Sequence, residues 1–94
     1  MKTVLVTGAN RGLGFEFVRQ YLEAGQRVIA TVRDPGKASA LQSLVERFPA
    51  TLTLHTLDVT DAQSRLQLAR ALDGQPLHLL INNAGVSGGW GELG

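Results

Sequence analysis

Three glycines, Gly8, Gly12 and Gly14, follow the apolar residues 4–6 near the start of this 94-residue sequence. Glycine adopts backbone angles that other residues resist, and it allows a ligand to approach the backbone closely. A helix that begins in such a turn directs N–H groups and the positive end of its dipole toward an anion. The spacing is not the G-x-G-x-x-G typical of dinucleotide sites, so a phosphate-binding loop and a plain structural turn both remain open.

Polar residues stand at the ends of three further apolar runs: Arg33, Asp58 and the pair Asn82–Asn83. In open sheets of parallel strands, ligands bind just outside the carboxyl ends of the strands, so these residues could contact one ligand. Sites that select NAD place an acid at the end of the second strand, whereas Val32 stands there, followed by Arg33. A guanidinium can hold a phosphate through two parallel hydrogen bonds.

Each of these residues also has a simpler interpretation. Arg33 could be a solvated loop cation, and Asp58 could belong to the start of a helix near Thr60, where Asp61 is also favoured. His55 and His78 have no partner at metal-ligand spacing and are more typical of ordinary strand residues.

Four short apolar runs predict strands that alternate with three helices. The runs are rich in leucine and β-branched residues with little alternation, which is typical of strands covered on both faces. The third run alternates somewhat, which favours a sheet edge. The predicted strands cover approximately Thr3–Thr7, Arg27–Val32, Thr51–Leu57 and Leu77–Ile81.

The segments between the runs have apolar residues at helical spacing. The first helix is expected to end near Gly25, the second to begin at Pro35 and end near Pro49, and the third to begin with a Thr60–Gln63 capping box. The apolar stripes are Leu13, Phe17, Val18, Tyr21 and Leu22, then Leu41, Leu44, Val45 and Phe48, then Leu66, Ala69 and Leu72.

The resulting order βαβαβαβ predicts an α/β fold with a parallel sheet, because helix-length crossovers join parallel strands. The expected strand order is 3-2-1-4, which is the first part of a doubly wound, Rossmann-type sheet. Residues 1–94 are thus interpreted as one truncated dinucleotide-binding domain.

Composition excludes several classes of protein. The sequence is 44% hydrophobic and 18% charged with a net charge of +1, which is typical of globular chains and gives no reason to expect a nucleic-acid partner. It contains no cysteine, which excludes disulfides and thiolate metal sites, and no metal-binding pattern stands out. No apolar run suits a signal peptide or a membrane span, so a cytoplasmic location without a membrane partner is expected.

Two motifs together resemble the short-chain dehydrogenase/reductase family. Thr7-Gly8-x-x-x-Gly12-x-Gly14 matches its glycine motif, and Asn82-Asn83-Ala84-Gly85 matches its segment after the fourth strand. The amino-acid sequence at residues 10–14 and 30–35 is most similar to the branch of small carbonyl reductases that resemble the developmental C-factor.

The resemblance implies a role for each matching residue. Backbone amides around Asn10 and Leu13 would lie near the pyrophosphate, and Arg11 could be a second cation beside Arg33, although an arginine there suits either cofactor. Asp58 would accept a hydrogen bond from the adenine amino group, with Val59 beside the ring. The backbone of residues 83–85, Asn83, Ala84 and Gly85, would line the adenosine ribose. With Arg33 binding the 2′-phosphate, the expected cofactor is NADP(H).

Family chemistry is hydride transfer between nicotinamide and a carbonyl or alcohol, with a Tyr-x-x-x-Lys pair and a serine as catalytic residues. The only tyrosine here is Tyr21, followed four positions later by Gly25, so no catalytic residue is assigned. The expected function is the amino-terminal, cofactor-binding part of an NADP(H)-dependent reductase, inactive alone, with a small carbonyl or alcohol substrate and a possible homo-oligomer. A non-catalytic NADP(H)-binding module and a degenerate remnant remain alternatives.

Overall fold

The computed structural model describes residues 1–10 and 12–82. Four strands alternate with three helices, as predicted, and a short 3₁₀ turn at Pro35–Lys37 precedes the second helix. The strands are β1 (Thr3–Thr7), β2 (Arg27–Val32), β3 (Leu52–Thr56) and β4 (Leu79–Asn82), and the helices are α1 (Gly12–Glu23), α2 (Ser39–Arg47) and α3 (Ala62–Ala71). None of the helices in these described ranges is long and apolar enough to cross a bilayer.

The four strands form one parallel sheet in the order β3-β2-β1-β4, which confirms the predicted Rossmann-type topology. Val6 pairs with Ala30, Thr7 with Asn82, and the last residue of β2, Val32, with Thr56 of β3. The carboxyl ends of all four strands therefore lie along one edge of the sheet. β3 is a terminal strand of the described sheet, as its partial alternation predicted.

The main hydrophobic core lies between the sheet and helices α1 and α2. Every residue of β1 is buried, and so are five of the six residues of β2, because these central strands have neighbours on both sides. Leu41 of α2 is completely buried, and Tyr21 packs partly buried against the same cluster. The cluster of buried residues comprises Val4, Val6, Ala9, Val18, Leu22, Val28, Ala30, Val32, Ala38, Leu41, Leu44 and Leu52.

The predicted stripe of α1 is wrong at Leu13, which is 69% exposed. The buried face of this helix comprises Gly14, Val18 and Leu22. These residues are spaced four apart, and Leu13 lies one position, about 100° around the helix, from Gly14. Leu13 therefore lies beside the buried face and close to the glycine turn.

Two predicted helix starts also need correction. Pro35 begins the 3₁₀ turn, whose first N–H groups are capped by Asp34, and α2 begins only at Ser39. The proposed Thr60–Gln63 capping box is absent, because Asp61 is the N-cap of α3 and its carboxylate accepts the Gln63 N–H at 2.9 Å.

The predicted apolar face of α3 is wrong at Leu66 and Ala69, which are exposed, whereas Leu72 is half-buried as predicted. Leu66 is 46% exposed, and no residue of α3 is fully buried. The half-buried residues of this segment are spaced four apart, at Ser64, Leu68 and Leu72, so the stripe is rotated from the predicted one. The neighbouring β4 is likewise less covered than β1, since Leu79 and Leu80 are 42% and 50% exposed.

Candidate functional site

The turn between β1 and α1 has the backbone geometry for which glycine is required. Gly8 and Gly12 have φ angles of 60° and 57°, in the left-handed region that other residues rarely adopt. Apart from its chain neighbours and the backbone of its own helix, a Cβ atom added at Gly12 would meet no atom of the described residues within 4 Å, so the space on this side of the turn is open. Buried Gly14, by contrast, lies on the face of α1 that packs against the core.

Ala9 fixes this turn against the neighbouring strand. Its N–H donates to the carbonyl of Thr31 at 3.1 Å, and its side chain is completely buried. Asn10 and Leu13 lie on the exposed side of the same turn. The turn thus combines a fixed base with an open outer surface at the amino end of α1, a geometry that suits an anion.

The exits of β2 and β3 are joined by a backbone hydrogen bond. The N–H of Leu57 donates to the carbonyl of Val32 at 2.8 Å. This hydrogen bond places the following residues, Arg33 and Asp58, side by side. Arg33 Nε consequently lies 3.7 Å from Asp58 Oδ2. The Arg33 side chain is 83% exposed and the Asp58 side chain 32% exposed, so the two candidate site residues form an ion pair at the surface.

The Asp58 carboxylate is held by Thr60, two residues later in the chain. Both the backbone N–H and the hydroxyl of Thr60 donate to Oδ1 of Asp58, at 3.0 Å and 2.6 Å. These hydrogen bonds lower the pKa of Asp58 below its ordinary value; desolvation opposes them, and the charge of Arg33 makes the smallest contribution, which also lowers the pKa. Asp58 is therefore a fixed, ionised acceptor, and its contact with Thr60 also matches the simpler interpretation of a turn before α3.

The first turn of α3 holds the rest of the β3–α3 loop. The N–H of Asp58 donates to Ser64 Oγ at 2.8 Å, and the Arg65 guanidinium donates to the carbonyl of half-buried Val59. No sequence motif indicates the roles of Ser64 and Arg65, and the spacing of Thr60 and Gln63 favours a helix cap. The Asp58-x-Thr60 spacing, typical of a turn closed by an aspartate, could have indicated the Thr60 contact.

Asp34, the carboxylate next to Arg33, has a local structural role. Its Oδ1 accepts the N–H of Gly36 at 3.1 Å, and its Oδ2 lies 4.0 Å from the Lys37 ammonium. Asp34 therefore holds the 3₁₀ turn that follows β2, and its carboxylate does not contact Arg33 or Asp58.

Four predicted residues lie outside the part of the chain that the structure describes: Arg11, Asn83, Ala84 and Gly85. The backbone of Asn82 pairs with Thr7 in the sheet, and the Thr7 hydroxyl donates to the carbonyl of Ile81 at 3.5 Å. The end of β4 therefore lies directly beside the glycine turn.

The histidines show no sign of a metal site. Nδ1 of His78 accepts the N–H of Thr3 at 3.0 Å, and the N–H of His78 donates to the carbonyl of Thr3, which joins the start of β4 to β1. Across residues 1–10 and 12–82, no cluster of three or more histidine, aspartate or glutamate side chains could hold a metal ion.

One edge of the sheet thus carries an open glycine turn, an exposed guanidinium and a fixed carboxylate. The turn and the guanidinium suit anionic groups, and the carboxylate suits an N–H donor. A ligand with phosphates and an amino group, as in an adenine nucleotide, has the chemistry that this edge can recognise.

Comparison with known sequences identifies the family of this chain. The profile described as short chain dehydrogenase matches residues 2–92. The chain is 41% identical over 90 residues to (+)-neomenthol dehydrogenase of Arabidopsis thaliana, covering 89% of this chain and 30% of that protein. It spans about a third of the length of such curated relatives.

Solved structures agree with the sequence match. A putative short-chain dehydrogenase/reductase from Burkholderia multivorans with bound NADP superposes with a TM-score of 0.83 at 37% identity, covering 89% of this chain and 36% of that one. A carbonyl reductase from Pseudomonas aeruginosa in complex with NADP gives a TM-score of 0.85 at 33% identity, covering 90% and 39%. The chain belongs to the short-chain dehydrogenase/reductase family of oxidoreductases.

Proposed function

We propose that residues 1–94 form the amino-terminal, dinucleotide-binding part of an NADP(H)-dependent oxidoreductase. The reaction of that enzyme is hydride transfer between nicotinamide and a small carbonyl or alcohol. The observation that carries the cofactor choice is the exposed Arg33 guanidinium directly after β2, next to Val32, which stands at the strand end where an acid would select NAD. Two structural neighbours were solved with NADP, which supports the same choice.

In this proposal the glycine turn binds the pyrophosphate. The left-handed backbone at Gly8 and Gly12 and the open space beside Gly12 leave room for phosphate oxygens near the start of α1. Asn10 and Leu13 contribute backbone amides, and Gly14 allows close packing of the helix behind them. Arg11 would add a second cation.

The adenosine half would lie at the exits of β2, β3 and β4. Arg33 holds the 2′-phosphate, and Asp58 accepts a hydrogen bond from the adenine amino group, with Val59 beside the ring. The backbone of Asn83, Ala84 and Gly85 lines the ribose. The residues present fit this cofactor, because the exposed Arg33 offers a positive charge to the ribose 2′-phosphate and the fixed, ionised Asp58 offers an acceptor to the adenine amino group.

The nicotinamide ring supplies the hydride when the cofactor is bound. No Tyr-x-x-x-Lys pair occurs among these 94 residues, so we expect them to bind the cofactor without turning over a substrate. NADPH oxidation with small carbonyls by this chain alone would contradict that expectation, whereas binding without turnover agrees with it.

A cofactor titration tests the assignment of Arg33. NADPH and NADH are titrated by fluorescence against the wild type, Arg33→Asp and Arg27→Asp. Loss of a charge-assisted contact of about 1.5–3 kcal/mol predicts roughly ten- to hundredfold weaker NADPH binding for Arg33→Asp, with NADH much less affected.

Arg27 is the matched control because it begins the same strand whose exit leads to Arg33. Arg27→Asp makes the same change of charge at the opposite edge of the sheet, so both affinities should stay within about twofold of the wild type. Equal affinity of the wild type for NADPH and NADH would refute the NADP(H) assignment.

A further inference from the structure

The hydrogen-bonding capacity of Asp58 limits what its carboxylate can do in the proposed site. An ionised carboxylate has about four acceptor positions, two on each oxygen. Oδ1 already accepts two donors, the N–H and the hydroxyl of Thr60. Any further donor must therefore be received by Oδ2.

Oδ2 lies next to Arg33, whose Nε is 3.7 Å away. With this side chain beside it, Oδ2 has room for one more donor, such as the adenine amino group. A single oxygen would then face both the adenine ring and the arginine that binds the 2′-phosphate.

Nε is the arginine atom that faces Asp58, and this affects how the guanidinium can meet a phosphate. Among the described residues, the one contact of the Arg33 guanidinium is made by Nε, the two terminal amino groups make no hydrogen bond, and 83% of the side chain is exposed. An arginine approached through Nε keeps its terminal groups for a two-point contact with a phosphate. An exposed arginine that is already oriented also loses less conformational entropy when the ligand binds.

We propose that Asp58 is a positioning residue for Arg33, so that the carboxylate that receives adenine also orients the guanidinium for the 2′-phosphate. This inference rests on the proposed function and adds a determinant of cofactor choice on β3. Thr60 belongs to the same unit, because its two donors leave only Oδ2 available to Arg33.

The test uses two nucleotides that differ at the 2′-phosphate. Adenosine 2′,5′-bisphosphate and adenosine 5′-monophosphate are titrated by calorimetry against the wild-type protein and its variants. The ratio of the affinity for the bisphosphate to the affinity for the monophosphate reports the contribution of the 2′-phosphate contact. Asp58→Asn keeps the size of the side chain and one oxygen for Thr60, but it places an amide N–H₂ toward Arg33. Both nucleotides should bind more weakly, and the ratio should fall by about two- to fivefold, the range of an exposed ion pair.

Asp34→Asn is the matched control. It removes the same charge one residue after Arg33, from a carboxylate that contacts Gly36 and Lys37 instead of Arg33. Its affinity ratio should equal that of the wild type. In an Arg33→Ala background, Asp58→Asn should no longer change the ratio, because the residue that it positions is gone.

Three results would overturn the proposal. An unchanged ratio in Asp58→Asn means that Asp58 serves adenine alone, and a raised ratio means that it repels the phosphate or competes for Arg33. Failure of the wild type to bind either nucleotide overturns both this inference and the proposed function. If Arg33→Ala abolishes the preference and Asp58→Asn does not reduce it, the proposed function stands and only the positioning role fails.

Discussion

Substitution of Gly12 by alanine should separate the backbone strain of the glycine turn from its role in binding. Gly12 has φ of 57°, and an added Cβ would meet no atom of the described residues within 4 Å beyond its chain neighbours and the backbone of its own helix, so backbone strain is the main cost to the free protein. A left-handed backbone destabilises a residue that bears a side chain by roughly 1–2 kcal/mol. Alanine also lowers the conformational entropy of the unfolded chain, which offsets about 0.4–1 kcal/mol of that cost. We expect the free energy of unfolding to fall by about 1 kcal/mol, or about 4–8 °C in Tm for a domain of this size.

The loss in free energy of cofactor binding should exceed this loss in free energy of unfolding. The new methyl group would occupy the open space that the proposal assigns to the pyrophosphate, so NADPH and NADH should both bind at least about tenfold more weakly, or ~1.4 kcal/mol. Thermal unfolding measures the first effect, and fluorescence titration at a temperature where every variant is folded measures the second.

Gly25 and Gly74 provide matched controls, since both have positive φ, 85° and 77°, and open space around the missing Cβ. They follow the carboxyl ends of α1 and α3, on turns that carry no proposed site residue. Gly25→Ala and Gly74→Ala should lower the Tm similarly to Gly12→Ala without weakening either cofactor. Cofactor affinity in Gly12→Ala equal to that of these controls would refute the assignment of the glycine turn.

Two further predictions concern stability. Leu41→Ala removes a completely buried side chain between α2 and the sheet and should cost about 2–5 kcal/mol in denaturant unfolding, whereas Leu66→Ala, at a 46% exposed position, should cost far less; equal losses would contradict the described core. Hydrogen bonds from Arg19 and Gln20 lower the pKa of Glu16 from 4.5 to about 2, so its stabilising effect is present above pH 4.5 and is lost as the pH falls toward 2. Glu16→Gln should therefore show a flatter fall in Tm across that pH interval, and a slope identical to that of the wild type would exclude the Arg19 contact.

The elements that could be predicted from the sequence are those with a strong local signal. The central strands have uninterrupted runs of apolar residues because both of their faces are covered, and the stripe of α2 has a clear helical period. The orientation of α3 could not be predicted in the same way. Its weak apolar pattern includes Leu66 and Ala69, while the half-buried positions are Ser64, whose hydroxyl accepts the Asp58 N–H, and Leu68. Packing between distant segments decides such a rotation, and the local sequence does not encode it.

In the candidate site, too, some features follow from local sequence and topology, and others depend on packing between distant segments. Parallel topology alone predicts that Arg33 and Asp58 lie at one edge, and the structure brings them together. The contact between particular atoms depends on the register of β2 against β3 and on the hydrogen bonds that Thr60 makes. Threonine suits both a helix cap and a turn, so the sequence alone does not decide the position of Thr60, whereas in the structure Asp61 is the N-cap of α3. The cofactor roles of these residues, and the similarity to C-factor-like reductases, stay predictions.

The pairing of β1 with β4 bears on the order in which the sheet can assemble. Lys2 and Gln26, at the start of the β1–β2 pair, are 24 residues apart, whereas Thr3 and His78, at the start of the β1–β4 pair, are 75 residues apart. Closing the longer loop costs about 1 kcal/mol more in chain entropy, so β1, β2 and β3 should associate before β4 joins them. A ligand that needs the exits of all four strands would then bind only after this last pairing. Its binding would stabilise the fully paired sheet and shift the equilibrium of this last step toward the folded state.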